Sequence, residues 1–120
     1  MSITDDLIRG HTDAIILARL LRGDSYGYEI NKTISTLSSG RFELKEATLY
    51  TAFKRLEDAG YIASYWGDSG AGARRRYYTI TATGRSACRN LLMEWQETKE
   101  IMDKLLKVEE SLRESSSFNM

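Results

Sequence analysis

The chain has little that would support covalent or metal chemistry. Among its 120 residues there is one cysteine, Cys88, and one histidine, His11. A single thiol forms no internal disulfide, and neither residue has a partner at metal-ligand spacing, so no metal is expected. Cys88 falls in a helical apolar stripe and reads as packing, and His11 as a surface or interface residue. No nucleophile–base pair, paired carboxylate or phosphate loop stands out. The GAGA run at 70–73 lacks the following helix and Lys-Ser/Thr of a P-loop. Neither an enzyme nor a cofactor is expected. No apolar run approaches the ~18 residues of a membrane span, and the opening MSITDDLIRGHTD is too polar for a signal peptide. A cytoplasmic location with no membrane partner follows as the expectation.

Net charge is also missing: 17 basic residues balance 17 acidic ones. The balance is not local. Residues 41–89 carry nine Lys/Arg against five Asp/Glu, whereas residues 90–120 carry four against seven. Positive charge therefore gathers on one stretch, as a phosphate-facing surface requires.

That stretch has an order of elements to match. Leu49, Phe53 and Leu56 repeat at i, i+4 and i+7, which predicts a helix from about Glu46 with one buried face, closed by Ala59-Gly60. YIASYWG reads as a strand, DSGAGA as a turn and RRRYYTIT as the returning strand. Alternation puts Arg74, Arg76, Tyr78 and Ile80 on one side, and Arg75, Tyr77 and Thr79 on the other. Upstream, residues 3–22 predict a first helix with Gly10 setting its beginning apart and Thr12 or Asp13 capping the stronger half. Its apolar residues are too dense for one stripe, so it should pack on two sides. Ser25 is the expected cap of a second, short helix carrying Tyr26, Ile30, Ile34 and Leu37. Downstream, Thr81 or Thr83 should cap a long helix running to about Arg113. Its seam of Cys88, Leu91, Trp95, Thr98, Met102 and Leu105 alternates steps of three and four, as in a coiled-coil contact. A long helix of that pattern suits pairing with a second chain.

The fold class is thus mainly α with a two-stranded β wing: a winged helix-turn-helix plus a long C-terminal dimerisation helix. Residues 1–84 are expected to form the DNA-binding domain, with the N-terminal helix also contributing to the dimer. Residues 85–113 form the dimerisation helix and residues 114–120 a flexible tail.

These residues resemble the PadR family of bacterial transcriptional regulators. The resemblance rests on YGYEI (Tyr26–Ile30), ATLYTAFKRLEDAGYI (Ala47–Ile62) and GARRRYYTITATG (Gly72–Gly84), and covers residues 12–106. Within the family, KEATLYTAFKRLE, SYWGD and Trp95 are similar to the multidrug-sensing repressors of lactic-acid bacteria. The resemblance implies a homodimeric repressor on a palindromic operator. It further implies that paired tryptophans at the dimer centre sandwich planar aromatic effectors. Lys99 stands near where those relatives present an acidic residue, and Ala18 where they present a polar one.

The residues expected at double-stranded DNA are Thr48, Tyr50, Thr51, Lys54 and Arg55 on the third helix, Arg74, Arg75 and Arg76 on the wing, and Lys32. Hydroxyls and cations supply the donors that phosphates and base edges need. The usual bidentate base readers are absent from the first turns of that helix, so readout should lean on thymine methyls and DNA shape. The expected effector lining is Trp95, Leu92, Gln96 and Lys99 on the last helix, with Leu7, Ala14 and Ala18 opposite. The alternative reading is a winged-helix protein-interaction module that does not bind DNA.

Overall fold

The computed structural model of the chain describes residues 3–68 and 74–107. The tip of the DSGAGA turn, the helix end near Arg113 and the 114–120 tail lie outside the described residues. Within them the elements run α1 (Ile3–Arg9), α2 (Thr12–Leu20), β1 (Ser25–Tyr26), α3 (Gly27–Leu37), α4 (Glu46–Asp58), β2 (Ile62–Asp68), β3 (Arg74–Ile80) and α5 (Ala82–Leu105). The chain divides into two units, Met1–Arg89 and Asn90–Met120, so the boundary falls inside α5.

The helix expected over residues 3–22, with its beginning set apart at Gly10, is divided there into α1 and α2. The chain turns at Gly10-His11, where the His11 amide donates to the Ile8 carbonyl at 2.8 Å. No side chain caps α2, whose N-cap is His11. Thr12 is turned the other way: its hydroxyl donates to the Arg9 carbonyl at 2.6 Å, fastening the start of α2 to the end of α1.

Ser25 does not cap α3. It lies in a strand of two residues, too short to leave an alternating pattern in sequence, and pairs with Tyr78 of β3. Its hydroxyl donates to the Glu29 carboxylate, and Tyr26, with extended backbone, takes the N-cap position. The sheet is therefore three-stranded and antiparallel, in the order β1-β3-β2.

Helices α2, α3 and α4 turn their apolar stripes to one core. Ile16, Leu17 and Leu20 of α2 meet Ile30 and Ile34 of α3, Leu49, Ala52, Phe53 and Leu56 of α4, and Ile62, Tyr78 and Ile80 of the sheet as the buried set. Cys88 on α5 belongs to it and is fully buried. Burial pushes its thiol pKa up, which disfavours the reactive thiolate.

The connection between α3 and α4 is held by one amide. Asn31 donates to the Leu44 carbonyl at 2.7 Å and accepts from the Leu44 amide at 2.9 Å. Both backbone groups of Leu44 are thus satisfied while its side chain, with that of Phe42, drops into the core. Ser38 repeats the device at the other end, bonding both the amide and the carbonyl of Phe42 at 3.0 Å. The turn reverses through Ser39 and Gly40, both at positive φ (56° and 75°).

Of the two expected caps for α5, Thr81 is the one used. Its hydroxyl accepts from the Gly84 amide at 3.0 Å and donates to the Gly60 carbonyl at 2.7 Å. Gly84 is required here by close approach: a Cβ would sit 2.0 Å from the Tyr61 carbonyl oxygen. The first turn of α5 is keyed to the chain segment between α4 and β2.

Removing the Asn31 amide leaves two backbone groups of Leu44 without their partners. Asn31→Ala is expected to lower stability by about 1–3 kcal/mol. Urea unfolding should show a lower midpoint at unchanged slope.

Candidate nucleic-acid interface

On α4 the buried positions leave a coherent outer surface. Tyr50, Thr51, Lys54 and Arg55 are exposed and Thr48 is half-buried. Thr48, Thr51 and Arg55, at helical spacing, line an open recess of about 350 Å³ together with Ala47, Arg9 and Thr12. Two arginines and three threonines thus line one concavity, although the sequence indicated neither Arg9 nor Thr12.

The individual cations are not equally available. Arg55 donates Nε to Asp13 of α2 at 3.3 Å and makes a second, shorter bond to the same carboxylate through Nη2. That hydrogen bonding raises its pKa above the ordinary value. Such a partly exposed pair contributes about 0.2–1 kcal/mol, and its clearest effect is to fix α4 against α2. Lys54 is 3.6 Å from Asp58 one turn on, both well exposed, a contact worth little. Lys32 stands exposed on α3.

Tyr50 is only half outside. Its ring meets Phe53 edge-on at 5.5 Å. Its hydroxyl occupies the space a side chain at Gly27 would need, 2.7 Å from that Cβ position. The glycine of the YGYEI stretch makes room for the tyrosine of α4.

The β2–β3 register gives each wing residue an assigned face. Ser64 lies opposite Tyr78, Trp66 opposite Arg76 and Asp68 opposite Arg74; on the other face Tyr65 lies opposite Tyr77 and Gly67 opposite Arg75. The first face packs inward at its base, where Tyr78 stacks on Phe53 of α4 at 3.9 Å and 18°. Toward the tip it carries Trp66, 57% exposed, with the Arg74 guanidinium 5.2 Å above its ring. The other face bears an aromatic row across all three strands. Tyr26 meets Tyr77 edge-on at 5.4 Å, Tyr77 stacks on Tyr65 at 5.6 Å, and Arg75 lies 4.5 Å over Tyr26. Tyr65 closes the row by donating to Asp24 at 2.7 Å. Sequence reading found the three arginines but not this row, because a pairing across the tip needs the register, and β1 left no pattern of its own.

Leu92 and Trp95 are 40% and 44% exposed, and Gln96 and Lys99 are exposed as well. Met102 and Leu105 continue the exposed apolar surface of α5, and Leu106 just beyond it is exposed too. In the first unit Leu7 is exposed, and Ala14 and Ala18 are half-buried. Among the described residues no group of three His, Cys, Asp or Glu is arranged to hold a metal, and no helix is long and apolar enough to cross a membrane.

Residues 16–90 match the family described as the transcriptional regulator PadR-like family. A Lysinibacillus sphaericus protein described as uncharacterized is 48% identical over 101 residues, which are 84% of this chain and 93% of that protein. The fold is similar to that of a transcriptional regulator from Clostridium thermocellum, with TM-score 0.79 and 46% identity, covering 88% of this chain and 99% of that one. It is also similar to a PadR family transcription regulator from Clostridium difficile, with TM-score 0.70 and 36% identity, covering 80% and 98%.

Asp24, at the end of the tyrosine row, has its pKa lowered by the hydrogen bond from Thr79 first and that from Tyr65 second. A carboxylate so held contributes stability above its unfolded pKa of about 3.9, and that contribution is lost as pH falls through the lower folded value. Thr79→Val should raise the Asp24 pKa more than Tyr65→Phe does. An NMR pH titration of the Asp24 carboxyl reads both shifts.

Proposed function

The chain belongs to the PadR-like family of transcriptional regulators, and from that premise we propose that it is a homodimeric repressor released by planar aromatic ligands. Each protomer lays the outer face of α4 in the major groove, with Thr48, Tyr50, Thr51 and Lys54 as donors to phosphates and base edges. Arg55 and Lys32 contribute positive charge beside it, and the β2–β3 wing lies along the neighbouring backbone. A twofold dimer of this kind reads a palindrome whose half-sites lie about one helical turn, ~34 Å, apart. The observation that carries the DNA reading is the exposed hydroxyl- and cation-bearing face of α4, in the same unit as a wing with three successive arginines.

Dimerisation is supported by the surface of α5. The helix runs unbroken for 24 residues, about 36 Å at 1.5 Å per residue, and exposes Leu92, Trp95, Ile101, Met102 and Leu105. Such a stripe is stabilised when a second copy removes it from water, at roughly 25 cal/mol per Å² of apolar surface. Two symmetry-related Trp95 indoles in that seam form a stacking site for flat aromatic molecules, lined by Leu92, Gln96 and Lys99. A ligand held there weakens DNA binding only by the difference in its affinity for the DNA-bound and free states.

Two measurements test the proposal. In gel shifts with the upstream region of the protein's own gene, binding should be sequence-selective and should weaken steeply with salt. Replacing Arg74, Arg75 and Arg76 together by Ala should lower affinity and flatten the salt dependence. Selective binding that is absent altogether would favour the protein-interaction reading. For the effector site, Trp95→Ala should reduce the affinity for planar dyes at least tenfold while the dimer persists in sedimentation. Unchanged dye binding would put the stacking site elsewhere.

A further inference from the structure

We infer that the three arginines of β3 have separate roles: Arg75 is the principal phosphate-binding cation of the wing, Tyr26 is its positioning residue, and Arg76 is an internal strut. The inference rests on the DNA-binding reading above and assigns its parts within the wing.

Arg75 lies with its guanidinium 4.5 Å from the centroid of the Tyr26 ring. The face of a ring attracts a cation through its quadrupole, while all five N–H donors of a guanidinium lie in the plane of the group. The ring face thus holds the cation of Arg75 without offering a carboxylate to neutralise it, which leaves its charge and N–H donors to a phosphate, for which a planar fork is well shaped. The support beneath is itself braced. Tyr26 abuts Tyr77, Tyr77 stacks on Tyr65, and Tyr65 is hydrogen-bonded to Asp24. Directly across from Arg75 stands Gly67. Its missing side chain is what the row needs, since a Cβ there would lie 2.5 Å from the Tyr77 ring. That position also carries no side chain of its own that could neutralise Arg75.

Arg76 is held in the opposite sense. Its Nη2 donates to Ser64 Oγ at 2.9 Å and approaches Glu57 Oε1 at 3.5 Å, while Ser64 donates to Glu57 Oε2 at 2.9 Å. This closed triangle ties β3 to β2 and to the end of α4, and it spends the charge of Arg76 on an acid of the same chain. Arg74 is intermediate. Trp66 supports it as Tyr26 supports Arg75, but the register sets the Asp68 carboxylate opposite it, and opposite charges in that position interact.

The test is the salt dependence of binding to the operator fragment, measured for wild type, Arg75→Ala, Arg76→Ala, Tyr26→Phe and Tyr26→Leu. Each phosphate contact contributes roughly 0.9 to the slope of log K against log salt. Arg75→Ala should lower the slope by about that amount, and Arg76→Ala should leave it unchanged while lowering the thermal midpoint. Tyr26→Phe should bind as wild type. Tyr26→Leu should lose slope, and should add nothing to Arg75→Ala in the double variant. A slope loss in Arg76→Ala equal to or greater than that in Arg75→Ala overturns the assignment, as does additivity of Tyr26→Leu with Arg75→Ala. The two arginine variants decide the question even where Tyr26→Leu fails to fold. A wild type without salt-sensitive binding removes the DNA reading and the assignment together. A wild type that binds with the reverse ranking removes the assignment alone.

Discussion

The contact on which the first unit depends is the stack of Phe53 on Tyr78, 3.9 Å apart and nearly parallel. One ring belongs to α4 and the other to the strand that carries the wing arginines. Both are buried, and burial is what pushes the Tyr78 phenol pKa up. A stacked aromatic pair adds about 0.5–1.5 kcal/mol beyond the area it buries. Here it also fixes geometry, because Tyr78 is the residue of β3 paired with both Ser25 of β1 and Ser64 of β2. All three strands are thereby set relative to α4. The Tyr50 ring leans on Phe53 from the outer side, so the surface of the helix is ordered by the same pair that orders the sheet.

Much of this was legible in the sequence where the signal was periodic. The spacing of Leu49, Phe53 and Leu56 gave α4 and its exposed face, and alternation in RRRYYTI assigned the arginines to faces that the register bears out. What escaped was short or long-range. β1 has two residues, fewer than any alternating pattern needs, so Ser25 read as a helix cap. The Asn31–Leu44 clamp spans 13 residues, and the Arg55–Asp13 pair spans 42. Neither separation has a local signature. The break at Gly10 was signalled by the glycine itself, but that Thr12 would bond backward to the Arg9 carbonyl instead of capping α2 was not.

The same chain of contacts explains why glycines recur beside tyrosines. Gly27 admits Tyr50, and Gly67 admits Tyr77. In each case the small residue and the ring lie on different elements, so the two substitutions are coupled across space. In this member of the PadR-like family, aromatic side chains and the glycines beside them thus set the backbone geometry together.

The strict alternation of β3 has a consequence for how the wing tolerates change in length. Tyr78 and Ile80 are locked into the core, so counting on this strand proceeds outward from them. One residue inserted between Arg76 and Tyr78 would reverse the parity of everything beyond it. Arg75 would leave the tyrosine row for the opposite face, and its neighbours would exchange surroundings with it. Two inserted residues would restore the parity and merely lengthen the reach. Variation among relatives at this point should therefore come in even steps, a constraint written in the spacing of the strand more than in the identity of any arginine.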